Sequence, residues 1–106
     1  MMGSLFDIQM ALDWALNHAL VAALPPTWQA ARMDLLPRAD AVGKVLIVIS
    51  SPEGHAQSLV PSADLIDGAA RLAATFSDRA LSWNRVSYMA SRDAHGEWRF
   101  DTEYDY

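Results

Sequence analysis

The chain has 106 residues, a length that fits one domain, and such a domain buries roughly two-thirds of its unfolded surface. Hydrophobic residues make up 52% and charged residues 20% of the sequence, which is typical of a globular protein and excludes a disordered one. The formal net charge of −5 disfavours direct nucleic-acid binding and favours a basic partner. The absence of cysteine excludes disulfides and thiolate metal sites and suits a cytoplasmic protein.

The first predicted element is a helix over residues 4–24, which Pro25 and Pro26 end because a proline disfavours helix in the residue before it. Seven residues at helical spacing form its predicted apolar face: Leu5, Ile8, Leu12, Ala15, Leu16, Ala19 and Ala23. A polar stripe lies on the opposite side: Gln9, Asp13 and Asn17. Because such polar residues interrupt the segment, we expect neither a signal peptide nor a membrane span.

Three hydrophobic residues of the same helix lie beside the polar stripe rather than on the apolar face: Met10, Trp14 and Val21. An apolar stripe on the solvent side of an amphipathic helix predicts a second contact surface. Trp14 is the strongest candidate, since tryptophan is favoured at contact hot spots, and the alternative is a partly covered surface aromatic residue.

Three strands are predicted next. Residues 28–36 form the first, with Ala31, Met33 and Leu35 in phase, and a loop follows over 37–43. Residues 44–50 contain a continuous β-branched run, which is typical of a central strand covered at least in part on both faces. Residues 56–60 form a short third strand after the turn at 51–54.

A second helix is predicted from Pro61 and Ser62, with Ser62 as its N-cap, to the neighbourhood of Ser82. Its predicted apolar face is formed by Leu65, Ile66, Ala69, Leu72, Ala73, Phe76 and Ala80. A fourth strand over 85–92 and a hairpin turn over 93–96 follow.

The closing strand alternates between an aromatic set and a charged set. The aromatic set is Trp98, Phe100, Thr102, Tyr104 and Tyr106. The charged set is Glu97, Arg99, Asp101, Glu103 and Asp105. Since side chains alternate across a strand, one face can close a core, and the other must meet water or a basic partner.

The predicted order of elements is therefore α-β-β-β-α-β-β. Short connections favour antiparallel pairing, and two amphipathic helices can cover one face of a single sheet. We expect one α+β domain over residues 1–106, with a single antiparallel sheet of about five strands and both helices on one face.

The sequence contains few residues in a pattern typical of a catalytic, metal-binding or cofactor-binding site. His18, His55 and His95 stand apart from one another and from carboxylates at ligand spacing, so no metal site is predicted. There is no nucleophile-elbow motif and no glycine-rich phosphate loop, so we expect a protein that is not an enzyme and binds no cofactor. Asp101, Glu103 and Asp105 allow three interpretations: a charged edge strand protected against aggregation, a binding face or, least favoured, a catalytic group.

Several segments along nearly the whole chain carry a family resemblance. They are Pro26-Thr27-Trp28 after the first helix, the hydrophobic strand over 45–49, Val60-Pro61-Ser62 before the second helix, the segment over 83–88, Gly96-Glu97-Trp98-Arg99-Phe100-Asp101, and Tyr104-Asp105-Tyr106. In these features and their order the chain resembles the YezG-like family of bacterial immunity proteins, which belong to polymorphic-toxin and contact-dependent inhibition systems. The resemblance implies an antitoxin that binds a toxin domain, often a nuclease, delivered by a neighbouring cell.

The leading hypothesis is accordingly an immunity protein that neutralises a cognate, basic toxin domain in a one-to-one complex. Its predicted contact residues are Asp101, Glu103 and Asp105, with Glu97, Asp93, Trp14 and Met10 nearby or as apolar anchors. One alternative is a small-molecule-binding or enzymatic domain that uses the aromatic face of the sheet as a pocket. Another is a subunit that oligomerises through Met10, Trp14 and Val21.

Overall fold

The fold consists of two helices and one antiparallel sheet, seen in a computed structural model that describes residues 5–37, 45–54, 59–77 and 83–105. The helices and strands are α1 (Leu5–Ala22), β1 (Ala30–Pro37), β2 (Val45–Ser50), α2 (Ala63–Ser77), β3 (Arg85–Arg92) and β4 (Trp98–Asp105). The strands lie in the order β2-β1-β3-β4. The predicted α+β class is confirmed, with four strands in the described ranges where about five were expected.

Local sequence signals account for the ends of several elements. α1 ends three residues before Pro25, and the Ser62 hydroxyl accepts a hydrogen bond from Leu65 N at 3.3 Å, which confirms the predicted N-cap of α2. The turn between β3 and β4 places Gly96 at a φ of 78°, a left-handed conformation that glycine adopts without a steric penalty.

Both helices lie on the same side of the sheet, as expected. α1 packs against α2 and β3, and α2 also packs against β2. Among the described residues, the core between the two layers contains fourteen buried hydrophobic ones, including Leu20 and Leu72 from the helices and Met33, Leu35 and Tyr88 from the sheet. We call this side of the sheet the covered face, and the other side the open face.

The register of the sheet decides which residues share a face. Met33 is paired with Ile49 on β2 and with Tyr88 on β3, and Tyr88 is paired with Thr102 on β4. Because directly opposite residues project to the same side, this row lies on the covered face. The neighbouring row, which contains Asp34, lies on the open face.

The structure does not support the central position predicted for β2, because β2 lies at one end of the order of the described strands. Its burial alternates, with half-buried residues on the covered face and two exposed hydrophobic residues, Leu46 and Val48, on the open face. Of the third strand predicted over 56–60, only Leu59 and Val60 are described, and neither is in a strand.

Two helix faces also differ from the prediction. On α1, Asn17 is buried, Asp13 is half-buried and Ala15 is exposed, so the buried side includes most of the stripe expected to face water. On α2, Ile66 is 55% exposed rather than part of the apolar face. Of the loop predicted over 37–43, Pro37 is the last residue of β1. The rest of that loop and four other residues of the predictions, His55, Ala80, Ser82 and Tyr106, lie outside the described residues.

No helix in the described ranges is long and apolar enough to cross a membrane.

The structure predicts unequal effects for two truncations on α1. Leu20 is fully buried, whereas Met10 is 56% exposed. We expect Leu20→Ala to lower the free energy of unfolding by about 2–5 kcal/mol, since it leaves a cavity, and Met10→Ala to change it by less than about 0.5 kcal/mol. Chemical denaturation measures both, and equal losses in the two variants would contradict this packing.

Candidate functional site

The predicted contact strand, β4, lies at the edge of the sheet opposite β2. Its even-numbered residues project to the covered face, where Trp98, Thr102 and Tyr104 are half-buried and Phe100 is 38% exposed. Its odd-numbered residues project to the open face. The alternation predicted for the closing strand is therefore confirmed over residues 98–105.

Asp101, Glu103 and Asp105, which we call the acidic row, are all exposed on the open face. Alternate residues of an antiparallel strand place successive carboxylates about 7 Å apart along the strand. Both helices lie on the other face, so neither covers the row. In the ranges that the structure describes, no ion pair within 4.0 Å includes any of the three carboxylates.

The residues opposite the acidic row on β3 differ in charge. Asp101 is paired with Met89 and Glu103 with Ser87, so neither of these carboxylates has a cation directly across the strand. Asp105 is paired with Arg85, at the distance where opposite charges on neighbouring strands attract. Glu103 nevertheless lies close enough to Arg32 of β1 to interact with its charge.

A second arginine on the open face, Arg32 of β1, is held by Asp34. The Arg32 Nε lies 3.0 Å from Asp34 Oδ2, and the Ser87 hydroxyl donates to Asp34 Oδ1 at 2.6 Å. Burial by itself raises the pKa of Asp34, but the hydrogen bonds from Arg32 and Ser87 and the positive charge outweigh it, so its pKa lies below the ordinary value. The Arg32 charge is thus largely satisfied within the domain.

Asp93 organises the hairpin turn between β3 and β4. Its Oδ1 accepts hydrogen bonds from His95 N at 2.8 Å and Glu97 N at 3.0 Å, and its Oδ2 lies 3.0 Å from Arg99 Nε. These two backbone donors, and then Arg99, hold the pKa of Asp93 below its ordinary value. Asp93 is therefore committed to the turn, whereas the Glu97 side chain is exposed beside it.

The two apolar candidates lie on α1, on the helix side of the sheet. Met10 is 56% and Trp14 65% exposed. The Trp14 ring stacks on His18 with centroids 4.1 Å apart, and the His18 ring lies 5.4 Å from Phe100. The structure therefore does not bring these residues onto the face that carries the acidic row. Both regions border the β4 edge, where Phe100 and Asp101 are consecutive residues.

A partly buried polar cluster that the sequence pattern did not predict connects α1 to the sheet. Asp13 Oδ1 accepts hydrogen bonds from the hydroxyls of Tyr88, at 2.5 Å, and Tyr104, at 2.8 Å. One turn further along α1, the Asn17 side chain is buried, and its Oδ1 has no hydrogen-bond partner in the described part of the chain. A usable signal did exist, because buried tyrosines need a partner for their hydroxyls.

The environment of this cluster sets its protonation. Burial raises the pKa of Asp13, and the hydrogen bonds from Tyr88 and Tyr104 oppose that rise only in part. Burial likewise raises the pKa of Tyr88 far above its ordinary value, followed by the effects of Tyr104 and Asp13. The raised pKa of Tyr88 keeps its hydroxyl neutral, so that it donates a hydrogen bond. The raised pKa of Asp13 means that its ionised form is disfavoured.

No group of three His, Asp or Glu side chains within the described ranges is arranged to hold a metal ion. No protein-family model matches the sequence, and no curated protein is significantly similar to it. The resemblance to the YezG-like family remains an expectation from the sequence.

The Asp13 cluster generates a prediction about pH. A carboxyl whose pKa is raised by folding favours the folded state at pH values below its unfolded pKa, near 3.8, and loses that contribution as the pH rises through its folded pKa. We therefore expect the free energy of unfolding of the wild type, minus that of Asp13→Asn, to fall as the pH increases from about 3 to 7. Denaturant titrations of both proteins measure this difference.

Tyr104→Phe provides the matched comparison for this prediction. It removes one of the two hydrogen bonds that lower the pKa of Asp13. When Asp13→Asn is made in the Tyr104→Phe variant, the difference in the free energy of unfolding should therefore fall by more over the same pH range. Parallel stability curves for the wild type and Asp13→Asn over the whole range would show that Asp13 is not titrating in this environment.

Proposed function

We propose that the protein is an immunity protein, an antitoxin that binds a basic bacterial toxin domain through the open face of the β4 edge. The observation that carries the proposal is the acidic row: three exposed carboxylates on a face that neither helix covers, with no ion pair within 4.0 Å in the described ranges. The net charge of −5 adds a field of the same sign.

The arrangement supports capture of a cationic surface. Opposite charges increase the rate of encounter and orient the partners, and a carboxylate that becomes desolvated against an arginine contributes a strong, directional hydrogen bond. Asp101 and Glu103 are the central contacts of the proposal, because the residues directly opposite them on β3, Met89 and Ser87, carry no charge. Asp105 contributes less, since Arg85 lies opposite.

A nuclease is the class of toxin that this surface fits best. The substrate-binding cleft of a nuclease is lined with cations that contact successive phosphates. Carboxylates repeated at a regular spacing along one rigid strand present negative charge to such a cleft in a similar linear order. The complex would form in the cytoplasm of the protected cell, with one toxin domain on each acidic row.

The proposal assigns the remaining candidates different roles. Glu97 extends the acidic surface at the turn, whereas Asp93 acts by holding the turn and Arg99. Met10 and Trp14 lie on the helix side and can contact only a partner that wraps around the β4 edge. Such a partner would gain apolar contact area from Trp14 in addition to the charge contacts.

The structure gives less support to the two alternatives. The aromatic face is filled by the helices, since Phe76 of α2 stacks on Tyr104 with centroids 5.7 Å apart and Asp13 of α1 binds two tyrosines. Val21, one of three residues proposed for oligomerisation through α1, packs partly against the core.

The proposal predicts that a neighbouring gene encodes the cognate toxin, and the experiment uses the toxin domain of that gene product. We expect Asp101→Asn, Glu103→Gln and Asp105→Asn together to lower the association rate constant by about tenfold or more at low ionic strength, because electrostatic steering is lost. The salt dependence of association should flatten as well. Stopped-flow fluorescence measures both quantities, and a growth assay with the expressed toxin measures protection.

The matched control replaces three acids outside the acidic row, Asp7→Asn, Asp64→Asn and Asp67→Asn. It changes the net charge equally but leaves the row intact, so its association should remain close to that of the wild type. Equal effects of the two variants would remove the acidic row from the mechanism. The absence of any binding or protection by the wild type would count against the immunity function itself.

A further inference from the structure

The open face carries a depression of about 500 Å³ beside the acidic row. Its lining includes two large side chains and several small or compact ones: Arg32, Met89, Ala30, Ser50, Pro52 and Ser91. Ser50, Pro52 and Ser91 are exposed, so the depression opens to solvent. The surface is low here because small side chains surround Arg32 and Met89. Its volume lies within the range of about 300–1,000 Å³ that is usual for ligand pockets.

The register of the sheet connects the depression to the acidic row. Met89 of β3 is paired with Asp101 of β4 and with Arg32 of β1, and Arg32 is paired with Ser50 of β2. Directly opposite residues project to the same side with Cβ atoms about 4.5–5.5 Å apart. The depression therefore begins one strand away from Asp101, on the same face.

The guanidinium group of Arg32 is fixed at this position. Its Nε lies 3.2 Å from Asp34 Oδ1 and 3.0 Å from Asp34 Oδ2, and its Nη2 lies 3.4 Å from the Ser87 Oγ. The side chain nevertheless keeps 38% of its surface exposed. A planar guanidinium that is already held by a carboxylate is a surface on which an aromatic ring can stack.

Met89 supplies a second contact of the kind that aromatic rings favour. Its side chain is half-buried and lines the depression next to Arg32. A thioether packs favourably against the edge of an aromatic ring, and a guanidinium favours its face. An aliphatic side chain would gain the first contact through packing alone and would not gain the second. The chemistry of the lining therefore selects an aromatic occupant.

We infer that the depression binds an aromatic side chain, stacked on Arg32 and packed against Met89, and that the toxin domain supplies this side chain. The choice of the toxin rests on the proposed function. The aromatic site itself rests on the two lining residues.

The size of the acidic row explains why the same partner would reach the depression. A strand of eight residues is about 27 Å long and about 5 Å wide, so β4 presents about 130 Å² in projection. A stable complex buries roughly 800 Å² on each partner. A partner centred on the row must therefore cover neighbouring surface, and the open face beside Asp101 continues directly into the depression. Tyrosine and tryptophan are also the residues most enriched at the centres of such interfaces.

The charge of Arg32 does not oppose a basic partner. Asp34 lies in contact with the guanidinium, and Glu103 of the acidic row also interacts with its charge. A partner that brings cations to Asp101 and Glu103 thus meets a compensated arginine. Positive charge for the row and one aromatic side chain for the depression are then compatible on one docking surface.

The first test uses a small aromatic probe and needs no toxin. N-acetyltryptophanamide is titrated into the isotope-labelled protein to about 50 mM, and we expect saturable NMR shifts at Arg32, Met89 and Ser91 with a dissociation constant on the order of millimolar. N-acetylleucinamide should bind at least about threefold more weakly, because it cannot stack on the guanidinium.

Arg32→Lys is the matched variant for this titration, since it keeps the positive charge and removes the planar group. It should weaken binding of the tryptophan probe to about the level of the leucine probe. Circular dichroism and thermal unfolding establish that the variant is folded. Equal binding of the two probes to the wild type overturns the inference, as does the lack of a saturable shift at these residues.

The second test asks whether the toxin uses the depression. Ser91→Trp fills it with a side chain of the domain itself and leaves the acidic row intact. In stopped-flow measurements with the toxin of the neighbouring gene, we expect the dissociation rate constant to rise about tenfold or more. The association rate constant should stay within about twofold of the wild type, because steering depends on the acidic row.

The control is Ala74→Trp, which adds the same side chain at an exposed position of α2, on the helix side of the sheet. It should dissociate from the toxin like the wild type. Unchanged dissociation of Ser91→Trp overturns the assignment of the toxin to the depression. Failure of the wild type to bind the toxin contradicts the proposed function instead, and the probe titration decides on the aromatic site in either case.

Discussion

Two helices cover one face of a four-stranded sheet, and this constraint determines what each strand can contain. On β1, β3 and β4 the covered face holds Met33, Tyr88 and Tyr104, whereas the open face must be compatible with water. The polarity of the open face increases from β2 at one end of the sheet to β4 at the other. Exposed aliphatic residues occupy β2, a paired arginine and aspartate occupy β1, and exposed carboxylates occupy β4. The acidic row is therefore the outer end of a gradient in polarity across one surface.

The strands whose sequences alternate could be predicted, because a period of two in side-chain character is typical of a strand. β3 is observed over the residues predicted for it, and β4 over 98–105 of its predicted span. β2 could not be placed in the same way. A continuous run of Val, Leu and Ile is compatible with a strand buried on both faces and equally with an edge strand that another chain covers, since both remove side chains from water. Only the strand order separates these cases.

The prediction for the solvent-facing side of α1 is wrong because polar residues of that side, Asp13 and Asn17, pack toward the core. Residues 13 and 20 are nearly in register along a helix, so Asp13 lies on the same side as the fully buried Leu20. Its carboxylate is tolerated there because two tyrosine hydroxyls from β3 and β4 bind it. Hydrophobic periodicity cannot detect such an arrangement, because the partners of Asp13 are 75 and 91 residues away. These hydrogen bonds offset part of the cost of burying the carboxylate, and they also fix α1 over two strands.

The hydrogen bond between Tyr104 and Asp13 also affects the candidate site. The acids of that site could be predicted from the sequence, but the charges around them could not. Tyr104 binds Asp13 on the covered face, while the residues that flank it, Glu103 and Asp105, project to the open face. α1 and the hairpin turn at Asp93 therefore hold β4 at two points along its length. An edge strand fixed in this way presents its carboxylates in a rigid line. Since rigid charges lose little conformational entropy when a partner docks, the polar interior of the domain supports the binding capacity of its acidic surface.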